Sequence, residues 1–393
     1  MPALQLRTWW AVPTLQKSMK IAMLRQRVGG PGGAETTVQH LARGLAAAGH
    51  QVAVYGSEAE DTARAALGPQ VGYVPVPVWP GKTGRLLSYA LGARRLLKKA
   101  GPQVVFSLER TLSPQVYRAG DGCHREWLKL RAPFLSPAAR AFQGLSLFHR
   151  VMLSLEERLF ADPGLRRVIA NSHQVQEEII RHYRLDPQRV AVIYNGLDRR
   201  RFQPLEEPRR AALRAGLGAP AGPLVLFAGS GFGRKGLTYL VEAFGGLRHK
   251  EAVLWVVGKG EPASYRRQAR RLGAAARLKF WGPQADLAPF YQAATVLALP
   301  TIYDPCSNVV LEALACGLPV ITTGANGAAE FLRPDGHGEV LGRADDVPGL
   351  TRALEEYLTR GEAPEVRRAA AAAVAHLSWE ATVTQTLSVL ELI

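Results

Sequence analysis

The 393-residue chain carries 49 Lys+Arg against 33 Asp+Glu, a formal net charge of +16, with 47% apolar and 21% charged residues. That length exceeds one ordinary core and implies two domains, while the apolar content excludes a disordered chain. No apolar run approaches the ~18 residues of a membrane span, and three cysteines (Cys123, Cys306, Cys316) without a C-x-x-C pair exclude a disulfide framework or a cysteine zinc site, which fits a reducing cytosol.

Residues 1–18 contain Trp9 and Trp10 but lack the apolar centre of a signal peptide, and are read as an extension ahead of a natural start at Met19-Lys20. A strand is predicted over 21–24. It runs into Gly29-Gly30-Pro31-Gly32-Gly33, a helix follows over 34–48, and Gly49-His50 closes it before a strand at 51–55. This strand–glycine loop–helix–strand unit dictates a parallel sheet. Further strands are predicted at 104–107 and 168–170, with a long, basic, partly apolar helical stretch over 124–161 between them. A strand at 190–194 stops at the turn pair Asn195-Gly196, and a polar, proline-bearing linker spans 198–208. The pattern then restarts with a strand at 224–228, a glycine-rich loop at 229–236 and a helix at 238–247. Strands at 252–257, 278–281, 296–299 and 319–322 follow, and a last helix at 378–392 is expected to pack back on the first domain. The predicted fold is α/β: two doubly wound parallel-sheet, Rossmann-like domains, 19–198 and 199–377, facing across a cleft. Ligands of such folds bind at the carboxyl ends of the strands.

Three constellations carry possible chemistry. In Gly229-Ser230-Gly231-Phe232-Gly233-Arg234-Lys235-Gly236, glycines let a phosphate approach the backbone and the next helix aims free N–H groups at it. Arg234 and Lys235 add charge enough to hold a diphosphate without a metal. The alternative is a tight turn with two solvated cations. Gly231 to Gly236 also fits G-x-G-x-x-G, with Glu261 as its ribose acid, so an NAD site stays open. The second constellation is Asp304-Pro305-Cys306-Ser307-Asn308-Val309-Val310-Leu311-Glu312, which follows a strand and opens a helix. Two carboxylates for sugar hydroxyls, with helix-terminal amides between them for a diphosphate, describe a nucleotide-sugar. The alternative is an N-cap at Asp304 or Ser307 with Glu312 as a dipole partner. The third is Asp121-Gly122-Cys123-His124 with Arg118 and Arg125, able to orient an acceptor hydroxyl or take its proton. An Asp-Gly turn with a surface histidine is the simpler reading.

Charge is uneven: residues 1–200 hold 28 basic and 14 acidic side chains, net +14, and 201–393 hold 21 and 19, net +2. Basic and bulky apolar residues mixed over 124–161 suit an anionic membrane surface, unless the apolar face is ordinary core. The sequence contains no D-x-D, no P-loop pattern and no recognised nucleic-acid module.

The segment 304–312 resembles the E-x7-E signature of the retaining, GT-B-fold glycosyltransferases of family 4, as do 313–320 (ALACGLPV) and 192–198 (VIYNGLD). The resemblance covers essentially 19–380. More narrowly, 228–236 (AGSGFGRKG), 116–124 (VYRAGDGCH) and 172–183 (SHQVQEEIIRHY) are similar, in order and spacing, to lipopolysaccharide-core glucosyltransferases. The resemblance implies that Glu312 binds the nucleotide ribose and Asp304 the donor-sugar hydroxyls. Arg234 and Lys235 hold the diphosphate, helped by amides of Val309 and Val310, with Gly231 and Asn308 on the same donor side. Gly32 and Gly33 approach from the other domain, and Asp121 sits near the reacting centre. Asp304 stands where Glu is usual and Ser307 where Gly is usual, which bears on the transferred sugar more than on the reaction type. The implied activity is transfer of a hexose, glucose from UDP-glucose, to an anionic lipid-linked glycan such as a lipopolysaccharide core, with no cofactor, metal or nucleic acid. The place implied is the inner face of the cytoplasmic membrane, as a peripheral protein. The alternatives are a GT-B-fold nucleotide-sugar epimerase and an NAD-dependent oxidoreductase.

Overall fold

The computed structural model describes residues 18–30 and 32–393, so the reading of 1–18 lies, but for Ser18, outside the described residues. Two parallel sheets organise the chain. The first joins β1 (Lys20–Leu24), β2 (Gln51–Gly56), β3 (Gly72–Pro75), β4 (Val104–Ser107), β5 (Val116–Ala119), β6 (Arg167–Ala170) and β7 (Val190–Val192) in the order β3-β2-β1-β4-β5-β6-β7. The second joins β8 (Leu224–Ala228), β9 (Val253–Val257), β10 (Leu278–Gly282), β11 (Val296–Leu299), β12 (Val320–Thr323) and β13 (Gly338–Leu341) in the order β10-β9-β8-β11-β12-β13. In β1, Ile21 to Leu24 are all buried, as are all residues of β8 and β11, because helices cover both faces of a parallel sheet. Strand order reverses between β1 and β4 and between β8 and β11. The carboxyl ends at these two switch points face each other.

Three of the strands, β3, β5 and β13, were not predicted. Each has four residues, β3 and β13 begin with glycine, and β5 carries Arg118 in its middle, so none shows an apolar run. The stretch 124–161 resolves into three helices, His124–Arg131, Pro137–Leu145 and Leu147–Phe160, interrupted at Pro133 and at the N-cap serines Ser136 and Ser146. Its apolar residues divide between core and surface. Leu155 and Leu159 enter the core, whereas Phe142, Leu145 and Leu147 are 73%, 72% and 64% exposed.

The last helix, Trp379–Leu390, leaves the second domain and packs on helix Gly33–Ala47 of the first. Leu387 and Leu390 join the first domain's core with Val38, Leu41 and Leu45, and Trp379 stacks on His40 at 4.2 Å. Each such buried leucine contributes on the order of 1.5–3 kcal/mol, so this helix ties the two domains together. Among the described residues no helix is long and apolar enough to cross a membrane.

Candidate active site

A cavity of about 750 Å³ lies between the facing sheet ends. Gly32, Gly33, Asp121, Arg234, Lys235, Asp304, Asn308, Val309 and Glu312 line it, and Gly231 and Val310 do not.

One wall of the cavity grows from two strand–loop–helix turns. After β8 the chain folds so that Lys235 runs back beneath Gly229, and its Nζ reaches Asp304 Oδ2 at 3.1 Å and Ser307 Oγ at 3.5 Å. The turn needs glycine at Gly236, where φ is +78° and a Cβ would collide with the Pro300 carbonyl. Arg234 donates from one terminal nitrogen to the Tyr303 carbonyl at 2.6 Å and to Asp304 at 3.3 Å. Burial alone would raise the Asp304 carboxyl, but Lys235 and Arg234 outweigh it and hold it below the ordinary range. One carboxylate against two cations leaves a net positive site.

Asp304 does not cap the next helix, Asn308–Ala315, and neither does the Ser307 hydroxyl. The Val310 N–H is used within that helix start, donating to the Ser307 carbonyl at 3.0 Å, and its side chain is in the core. The N–H groups of Asn308 and Val309 make no hydrogen bond among the described residues, and both residues line the cavity. These are free donors at the positive end of a helix dipole. One turn further, Glu312 accepts a 2.8 Å hydrogen bond from the Tyr291 hydroxyl. Burial pushes its carboxyl up to about 7, against that bond and the charge of Arg201. Glu261, the acid that an NAD site would need, is exposed and does not line the cavity.

On the opposite wall, Asp121 follows β5 and pairs with Arg25 at 2.9 Å. Enclosure would raise its carboxyl, but Arg25 and Arg110 hold it below the ordinary value. His124 meets His149, Nε2 to Nδ1, at 3.1 Å, and burial followed by the Arg110 charge pushes it down to about 4. Cys123 is a buried thiol whose backbone N–H donates to the Tyr303 hydroxyl at 2.9 Å; that hydroxyl in turn donates to Glu178 at 2.6 Å. At Gly122 (φ +68°) a Cβ would strike the same tyrosine oxygen, so the Asp121-Gly122 turn is shaped by the second domain. Arg125 points elsewhere, to Glu157 and the Tyr183 ring. The residues that sequence reasoning missed are those supporting the site: Tyr291, Tyr303, Arg25, His149 and Glu156.

Two family models match the chain. One described as "Glycosyltransferase Family 4" covers residues 31–201, and one described as "Glycosyl transferases group 1" covers 222–360. The lipopolysaccharide glucosyltransferase WaaG of Escherichia coli K12 is 26% identical over 335 residues, 84% of this chain and 87% of WaaG. A D-inositol 3-phosphate glycosyltransferase of Streptomyces bingchenggensis is 36% identical over 198 residues, 47% of this chain; the match spans only 42% of that relative. A crystal structure of WaaG superposes with a TM-score of 0.80 at 23% identity, covering 94% of this chain and 99% of that one. Anabaena HepE, solved with UDP-glucose, superposes with a TM-score of 0.71 at 21% identity, covering 95% and 100%.

Proposed function

The chain belongs to glycosyltransferase family 4, with the GT-B arrangement of two facing Rossmann-like domains, and from that premise we propose that it transfers glucose from UDP-glucose to a lipid-linked glycan of the lipopolysaccharide-core kind, with retention at the anomeric carbon and without a metal ion. The observation that carries this reading is the set of groups along one cavity. Glu312 backed by Tyr291, the free amides of Asn308 and Val309 beside Lys235 and Arg234, and Asp304 stand on one wall, with Gly33 and Asp121 opposite. A nucleotide-sugar presents ribose hydroxyls, a diphosphate and sugar hydroxyls. Carboxylates accept from adjacent hydroxyls, and helix-terminal amides with two cations suit the diphosphate.

In the reaction the anomeric carbon–oxygen bond to the diphosphate breaks and the acceptor oxygen bonds to the same face. Charge developing on the leaving group is met by Lys235, Arg234 and the free amides, already in place. The acceptor proton passes to the departing phosphate oxygen. Supporting this route, both protein groups on the acceptor side are weak bases: Asp121 is paired with Arg25, and His124 is pushed down to about 4.

The acceptor and membrane assignment rests on charge. No acidic residue occurs from 62 to 108, and helix Lys82–Ala100 exposes Lys82, Arg85, Arg94, Arg95, Lys98 and Lys99 without an ion pair among the described residues. That helix packs on Leu147–Phe160, beside the exposed Phe142, Leu145 and Leu147. Cations next to exposed apolar side chains suit an anionic lipid surface, and the protein would work as a peripheral enzyme on the inner face of the cytoplasmic membrane.

Thermal unfolding with UDP, UDP-glucose and NAD tests the donor: the first two should raise Tm, and stabilisation by NAD alone would refute the reading. Asp121→Asn should lower turnover and leave UDP affinity within about twofold; loss of UDP binding would move Asp121 to the donor side. The raised Glu312 carboxyl gives a pH signature. Ribose binding uses the ionised form, so affinity for UDP-glucose should fall as pH drops through about 7, by up to roughly tenfold per pH unit. Glu312→Gln should bind weakly with a flat profile, and a flat wild-type profile would remove Glu312 from the ribose.

A further inference from the structure

Arg118 lies on β5 with 1% of its surface exposed, and its charge has no carboxylate partner among the described residues. One terminal nitrogen donates to the Ile193 carbonyl at 3.0 Å and to Asn195 Oδ1 at 2.8 Å. Its Nε and other terminal nitrogen are buried without any partner. Arg110, also buried in the same domain, is by contrast paired with Glu156 at 2.8 Å. Burial, opposed by no carboxylate, pulls the Arg118 guanidinium down to about 10. An uncompensated buried cation is costly to keep, so its retention asks for a counter-charge from outside the chain.

Arginine can only donate hydrogen bonds. Asn195 must therefore turn Oδ1 to Arg118 and Nδ2 away from it. That Nδ2 donates to Asn308 Oδ1 at 2.7 Å, from the first domain to the second. Asn308 is fixed in turn: its oxygen is occupied, and its Nδ2 has no acceptor among the described residues. A Cβ on Gly33 would lie 2.8 Å from that nitrogen, so it sits at the glycine loop that faces the donor wall. The donor-only residue at one end gives every amide in the chain the same direction, and the last N–H pair emerges beside the free backbone N–H groups of Asn308 and Val309.

We propose that Arg118 is a positioning residue of the transfer reaction: through Asn195 it holds the Asn308 side-chain amide as a donor to the diphosphate of the nucleotide-sugar, and that diphosphate supplies the counter-charge the protein lacks. The proposal rests on the nucleotide-sugar reading and adds a requirement to it. Because Asn195 and Asn308 belong to different domains, the relay exists only at this domain separation, which couples closure of the cleft to orientation of the leaving group.

Calorimetric titration of the full chain with UDP and with uridine tests it, since the relay acts on the diphosphate and not on the nucleoside. Arg118→Met should weaken UDP at least tenfold and leave uridine within twofold. Asn195→Asp keeps a partner for Arg118, so it guards against simple misfolding. An aspartate only accepts, which forces Asn308 to donate to it and to present its oxygen to the diphosphate; the same selective loss of UDP affinity is expected. Parallel loss of UDP and uridine, or unchanged UDP affinity in Asn195→Asp, would overturn the relay while the nucleotide-sugar reading stood. Absence of UDP binding by the wild-type chain would overturn that reading, and the relay with it.

Discussion

Replacing Glu156 by alanine should destabilise the protein by about 3–5 kcal/mol, the usual cost of removing one partner of a buried ion pair, and should lower turnover much more than UDP affinity. Glu156 is 1% exposed and accepts from Arg110 Nε at 2.8 Å and the Tyr183 hydroxyl at 2.6 Å. It also accepts the backbone N–H groups of His124 at 2.8 Å and Arg125 at 3.2 Å. Those are the first two residues of helix His124–Arg131, whose own N-cap position, Cys123, makes no capping bond. One distant carboxylate thus caps the helix, complements its dipole and neutralises Arg110, which also holds the Gly122 carbonyl at 2.6 Å. Without it, a buried guanidinium and two helix N–H groups lose their acceptor next to Asp121. Burial would raise this carboxyl, but Arg110 and the Tyr183 hydrogen bond hold it below its ordinary value. A carboxyl depressed in the folded state contributes stability that is complete above its unfolded value, about 4.5, and is lost as pH falls through the folded one. Urea denaturation should therefore show the full deficit of Glu156→Ala at pH 7 and a smaller one below about pH 4. Equal stability of variant and wild type at pH 7 would remove Glu156 from this role. UDP affinity should change little, because the donor wall is built by the other domain.

The same network marks where sequence reasoning reached its limit. The turns at 229–236 and 304–312 were legible because each is one continuous strand–loop–helix unit, and such a turn fixes its own backbone. What each side chain meets was not. Asp304 reads in the sequence as an acceptor for sugar hydroxyls or an N-cap, and in the structure it is buried between Lys235 and Arg234, 69 and 70 positions away. Glu312 reads as a first-turn acid and is supported by Tyr291 from the preceding helix. Glu156 sits in Leu155-Glu156-Glu157-Arg158, a pattern that any amphipathic surface helix shows, and nothing local says that it faces inward. Arg118 interrupts the apolar run of β5, so one residue both hid the strand and carries the buried charge. The last helix was legible as a helix, but the glycine-bearing face that receives it, with Gly44 against Val383, depends on how two distant segments meet.

Lys235→Met should lower turnover by about 10²–10³-fold at saturating donor, the range seen when one preorganised group facing transition-state charge is removed. Two effects are combined in that variant, and they separate by design. Lys235 is 6% exposed and pairs with the buried Asp304, so its loss also leaves a carboxylate with Arg234 alone, whose side chain is 37% exposed. The fall in stability from that under-compensated buried charge should be relieved by a second change, Asp304→Asn, which removes the charge at nearly constant shape. Turnover should not be relieved, because the cation facing the leaving diphosphate is still missing and Asp304 itself is assigned to the donor sugar. The double-mutant cycle therefore predicts strong coupling in unfolding free energy and no recovery in rate. Recovery of both together would reduce Lys235 to a structural partner of Asp304, and a single variant with turnover within threefold of wild type would place the leaving diphosphate elsewhere. Lys235→Arg is expected to behave nearly as badly as methionine. The lysine stem lies under Gly229, where a Cβ would be 2.8 Å from Cε, and a planar guanidinium is broader than the ammonium that passes there. The site thus requires a slender cation beneath the glycine loop and a broad one, Arg234, at its open edge.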